Sequence, residues 1–211
     1  MGVDWFRRQS WSQEDQTEFW HRLRKAREQN RPQYVFIQGF TLLETGPQYY
    51  ASAIKHFDYV IDRYSDSIRF VQALSAKADC LAASGDIEGA LAYYERAIQT
   101  MRIKPNNQTW AWLDFVWIVA TNELSNYYET ALAILDEFGS QPPLFPVTAF
   151  RFYGSRALIQ SACGLTDSAR NAARTALAAA DKEVSGLRYH PKLGVIGSSY
   201  RDIRERLAAI V

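Results

Sequence analysis

Apolar residues return at intervals of three and four along almost the whole chain, and no run alternates at the period of two that a strand needs. The pattern predicts an all-α protein of about ten helices. The first opens at Ser12, where Asp15 completes a capping box, and carries Phe19, Leu23 and Ala26 on one face to about Asn30. Pro32 resets the chain, and a second helix near 33–45 ends at Gly46-Pro47. A third covers 49–64. A fourth runs from about Ile68 to Ala83 and closes on Gly85; Asp86 caps a fifth, which continues towards Met101.

The second half follows the same grammar. "TWAWLDFVWIVATNEL" and "YYETALAILDEFG" are apolar helices, stopped by Gly139, Pro142, Pro143 and Pro146. "FRFYGSRALIQSAC" turns at Gly164 into "TDSARNAARTALAAADKEV". Three glycines and Pro191 then predict an extended segment over 185–198, before a last helix near 199–210. Leu187, Tyr189, Leu193, Val195 and Ile196 predict that this segment straps over apolar surface.

Four of the helices share a spacing. Each starts from a small residue and places packing residues four and seven positions on: Ala53/Phe57/Val60, Ala90/Tyr94/Ala97, Ala131/Leu135/Phe138 and Ala169/Ala173/Ala176. The leading alanines stand 37, 41 and 38 residues apart, which is an internal repeat of a helical pair. The unit over 71–105, with Leu74, Ala78, Leu81, Gly85-Asp86, Ala90, Tyr94, Ala97 and Pro105, resembles the tetratricopeptide repeat, and the unit over 150–183 keeps Tyr153, Ala157, Gly164, Ala169 and Ala176.

The resemblance implies a TPR-like α-solenoid of antiparallel helix pairs in one structural domain. Residues 1–32 would be an N-terminal capping helix, 33–184 four pairs, and 185–211 the strap and final helix. In the register of the repeat, the groove side would present Gln72, Ser75 and Asp79, then Leu113, Val116, Trp117 and Glu123, then Arg151 and Ser155. The tryptophan-rich helix at 110–119 reads either as central core or as an apolar groove wall.

Composition narrows the function classes. The chain has 211 residues and net charge +1, with a net acidic middle, 71–139, and a net basic tail, 140–211. His21, His56 and His190 are scattered, and no metal-ligand spacing, phosphate-binding glycine loop or nucleophile motif is present, so no enzyme, cofactor or metal is expected. Cys80 and Cys163 sit in helical patterns among alanines and read as small buried thiols with no disulfide framework. Met1–Ser10 lacks the apolar core of a signal peptide, and no stretch is apolar enough to span a membrane, which predicts a cytoplasmic protein.

The expected function is therefore a non-catalytic protein- or peptide-binding scaffold, with a homo-oligomer compatible with the pattern. The alternatives are an RNA-binding helical repeat, for which the basic "HRLRKAREQNR" over 21–31 speaks and the near-neutral total does not, and an enzyme with an unrecognised site.

Overall fold

The computed structural model describes residues 4–140 and 143–211, so Pro142 of the expected stop lies outside the described residues. These residues form ten α-helices joined by turns and short 3-10 segments, with no strand among them. The helices are α1 (Gln13–Lys25), α2 (Arg31–Thr45), α3 (Tyr50–Arg63), α4 (Arg69–Ala83) and α5 (Ile87–Ile103), then α6 (Ala111–Thr121), α7 (Tyr128–Phe138), α8 (Pro146–Ala162), α9 (Thr166–Ala180) and α10 (Arg201–Ala208). The chain divides into two compact units, Met1–Ala111 and Trp112–Val211. The division falls at the start of α6, inside the array expected over 33–184.

In the first unit α2 packs on α3, α3 on α4 and α4 on α5. The Ser12 hydroxyl accepts from the Asp15 N–H at 3.2 Å while the Asp15 carboxylate accepts from the Ser12 N–H at 2.9 Å, the reciprocal capping box expected for α1. That helix stops earlier than its apolar stripe. Its end is drawn off by Arg31, whose guanidinium donates to the Ala26 and Arg24 carbonyls and satisfies acceptors that a longer helix would have used internally. Gly39 lets α2 meet α3 closely: a Cβ there would lie 2.8 Å from Cβ of His56 and 2.9 Å from the Phe57 ring.

The turn from α4 to α5 shows how the pairs close. The Asp86 N–H donates to the Leu81 carbonyl and the Gly85 N–H to the Ala82 carbonyl, with Gly85 at φ 87°. This is a Schellman ending, in which the left-handed residue turns the chain back and two orphan carbonyls are satisfied. Asp86 then caps α5 by accepting from the Gly89 N–H. In the second unit Gly164 closes α8 identically, with Leu165 donating to Gln160 and Gly164 to Ser161. The end of α6 repeats the long bond, Leu124 N–H to the Val119 carbonyl, but the residue at positive φ is Glu123. The left-handed positions 85, 123 and 164 thus recur at nearly the interval of the alanines.

The second unit is built on the close pair α8 and α9, with α7 against α8 and α10 against both α8 and α9. Trp112 stacks on Phe138 and Phe115 meets Tyr127 edge-on, which joins α6 to α7. Of the twelve recurring packing positions, all are buried except Phe138, which is half-buried. Of the two thiols expected to be buried, Cys80 is buried and Cys163 is exposed. Segment 185–198 differs from its expectation. It folds through successive turns, with Ser185 N–H bonded to the Pro191 carbonyl and His190 N–H to that of Leu187, because Gly186 and Gly194 both take positive φ. Leu187, Val195 and Ile196 are half-buried, whereas Tyr189 and Leu193 face solvent. The segment is tied back by the Val147 N–H at the start of α8, which donates to the Gly194 carbonyl, and by Lys192 Nζ, which donates to the Glu183 carbonyl.

His56 sits in the core of the first unit, 1% exposed, inside a box of Trp11, Phe19 and Trp20 rings. Its Nδ1 lies 2.7 Å from the Ser52 carbonyl, which only accepts, so Nδ1 carries the proton and Nε2 is a buried lone pair without a partner. Burial holds the imidazole at about 4, against its ordinary 6.5.

Two predictions follow from this packing. Ala90→Leu overfills a fully buried position on α5 and should cost about 1 to 3 kcal/mol, while Ala92→Leu on the exposed face of the same helix should leave the melting temperature nearly unchanged. For His56 the unfolded chain binds the extra proton first, so its contribution is intact above pH 6.5 and is lost as pH falls towards 4, by about 3 kcal/mol. Urea unfolding at a series of pH values should show this slope in the wild type and its loss in His56→Leu.

Candidate functional site

The residues expected along the groove fall into two sets, one in each unit. Gln72, Ser75 and Asp79 lie on α4 at spacings that put them on one helical face. Each is already engaged or enclosed within the first unit. Gln72 Oε1 accepts from Arg69 Nη1 at 2.6 Å, Ser75 is buried, and Asp79 Oδ1 accepts from the Tyr94 hydroxyl at 2.6 Å. The Tyr94–Asp79 bond pins α5 to α4. A second polar link lies nearby in the helix order: Lys77 Nζ donates to Asp58 Oδ1 at 2.5 Å and to the Tyr93 hydroxyl at 2.7 Å, tying α4 to α3 and α5. Burial opposes the charge on Lys77, but these hydrogen bonds outweigh it and raise the pKa. An ammonium so held is a poor nucleophile or base.

In the second unit the set divides between core and surface. Leu113 and Val116 are fully packed core residues, 2% and 0% exposed, so the apolar run of α6 is mainly a wall of the core. Trp117 is half-buried between the rings of Phe150 and Tyr200. Arg151 lies over the Trp117 ring at 5.2 Å and bonds Asp114 at 2.7 Å. Burial pushes the Asp114 carboxyl above its ordinary range against the opposing pull of Arg151. Ser155, one turn beyond Arg151 on α8, is 0% exposed and its hydroxyl has no partner.

The face expected to stay open is covered by the chain itself. Tyr200 packs on Trp117, and Leu207 of α10 reaches to 3.3 Å from where a Gly154 Cβ would stand, a gap that exists because residue 154 has no side chain. Arg206 donates to the Thr121 carbonyl at 3.1 Å and pairs with Glu123 at 2.8 Å. Glu123 is therefore part of a helix ending and also borders an open cleft beside α10. Two clefts stay open on either side of α10. One cleft of about 620 Å³ is lined by Leu177, Ile196, Arg201, Arg204 and Ala208, and another of about 390 Å³ by Tyr128, Leu158, Arg206 and Ile210. Each lining mixes apolar side chains with both guanidinium and carboxylate groups, Glu205 in the first cleft and Glu123 in the second.

Sequence reasoning missed Asp114. The signal was available: a single acid inside "WAWLDFVWIV" is costly unless a cation meets it. It also missed Gln38, which is completely buried. Among the described residues no group of three or more His, Cys, Asp and Glu is placed to hold a metal ion, and no helix is long and apolar enough to cross a membrane.

Arg151 was assigned to recognition from its position in the repeat, and its geometry adds a structural duty. Arg151→Ala leaves the Asp114 carboxylate without its cation and should destabilise the second unit by up to about 3 kcal/mol. Because the folded pKa of Asp114 is raised, the loss should be greatest at neutral pH and shrink as pH falls through that raised value, below which the carboxyl is protonated in folded wild type and folded variant alike. Thermal melts of wild type and variant across that range measure the difference.

No protein-family model matches the chain, and no curated protein or solved structure matches it.

Proposed function

We propose that the chain is a TPR-like helical-repeat module of the cytoplasm that binds a protein or peptide and performs no chemistry of its own. The observation that supports this reading is the coincidence of two periodicities. Buried alanines lead α3, α5, α7 and α9, and left-handed endings at Gly85, Glu123 and Gly164 close α4, α6 and α8. A helical hairpin repeated in this way buries its small-residue seam against its own partner and leaves its remaining faces for contact with other molecules. Gln72, Asp79 and Arg151 of the groove register are engaged within their own units, so the clefts beside α10 are the better candidates for contact with a partner.

Affinity capture from the native cell, with mass spectrometry and with or without nuclease, tests the proposal. Protein partners that persist after nuclease treatment and are lost on charge reversal at Arg201 and Arg204, which line the larger cleft, are the expected result. Recovery of nucleic acid alone would overturn the reading.

A further inference from the structure

The segment that precedes α1, residues 4–11, is held to the first unit in an unusual manner. No backbone hydrogen bond joins residues 4–11 to a helix among those the structure describes; the one bond within the segment, Arg7 N–H to the Asp4 carbonyl, is a local turn. Its main chain is gripped by a side chain. Gln38 of α2, 0% exposed, accepts from the Arg8 N–H at 3.0 Å and donates from Nε2 to the Arg8 carbonyl at 2.8 Å. Both ends of a buried amide are thus spent on the N–H and C=O of one residue, the pairing a neighbouring strand would supply.

Three further contacts complete the seat. The Arg8 guanidinium bonds Asp15 at 2.6 Å and also Glu18, both on α1. Phe6 stacks on Tyr34 at 4.7 Å, and Trp5 lies against Tyr34 and Phe19. Arg7 pairs only within the segment, with Asp4. The seat therefore reads the main chain at Arg8, two adjacent aromatic rings carried on a turn and an arginine two positions later.

None of these contacts depends on the segment belonging to the same molecule. Trp5 and Phe6 are only half-buried, and Gln9 and Ser10, which link Arg8 to the next anchor, are exposed, with Ser10 held to α1 by a side-chain hydrogen bond to Asp15. A segment with so few ladder bonds opens at a small fraction of the free energy that unfolds the helices. We infer that the α1–α2 surface that seats residues 4–8 is a homotypic docking site, whose partner is the same segment of a second copy of this chain, exchanged arm for arm. Gln38 is the determinant of that exchange, because it recognises main chain wherever it comes from, and Asp15 with Glu18 selects arginine. The inference is independent of the binding role proposed above; it requires only the contacts around Gln38.

The experiment uses the full chain with Cys163, the exposed cysteine, replaced by Ser. One preparation carries Phe6→Cys and the other Tyr34→Cys, so that a thiol pair faces across the seat only when the segment of one copy enters the other. After mixing, a short bis-maleimide reagent should give a crosslinked heterodimer about tenfold more abundant than when the second preparation carries Ile103→Cys, an exposed site elsewhere in the same unit. Yields equal to that control overturn the inference. A second pair separates seat from segment: Gln38→Leu spoils the seat and spares the segment, while Arg8→Glu spoils the segment and spares the seat. Each alone should be monomeric by light scattering, and their mixture should form a heterodimer. Two folded variants that stay monomeric on mixing would equally refute it, and if Gln38→Leu does not fold, the crosslinking result decides.

Discussion

Two helices approach only as closely as the side chains at their crossing allow, and in this chain that constraint is set by alanine. Ala53, Ala90, Ala131 and Ala169 are all essentially without exposure, and the residues four and seven positions on fill the space each close crossing leaves. A methyl at the crossing keeps dispersion contacts dense without forcing rotamers. Other features follow from this one. Tight pairs need sharp reversals, hence the left-handed closures. Tight pairs also leave little interior room, so the polar groups that do enter the core among the described residues, Gln38, His56, Ser75, Lys77 and Ser155, are enclosed by neighbours.

The two units use the same device with different fillings. In the first, the interior beside α2 and α3 is aromatic and encloses a neutral imidazole, which costs little while the ring is uncharged. In the second, α6 brings an acid and α8 a guanidinium into contact under an indole, so charge is buried as a pair. One interior is sensitive to a proton arriving and the other to the loss of a partner.

How much of this could be read beforehand depends on the range over which each residue is satisfied. Ser12 with Asp15, Gly85 and Asp86 are satisfied within six residues of chain, and their roles were legible. The alanine spacing was legible because it repeats. Glu123 was not, since a left-handed closure is normally signalled by glycine; only its distance from Gly85 and Gly164 pointed to it. Gln38 and His56 were illegible for a different reason. Their partners lie 30 residues away or in rings from several elements, and no local pattern distinguishes a buried glutamine from a solvated one. The groove register could not show that Leu113 and Val116 are packed into the core, or that α10 reaches Glu123 and Gly154, because the repeat spacing carries no information about the chain that follows it.

The bond from Arg206 to the Thr121 carbonyl spans 85 residues of sequence, whereas the contacts that define the helix pairs join neighbours in the chain. Closing so long a loop is entropically slow, and the local pairs form without waiting for it. An interaction made after the rate-limiting step of folding has no influence on how fast the second unit assembles. Made that late, the Arg206 and Leu207 contacts would act on the reverse process, lengthening the lifetime of the folded unit more than they change its folding rate.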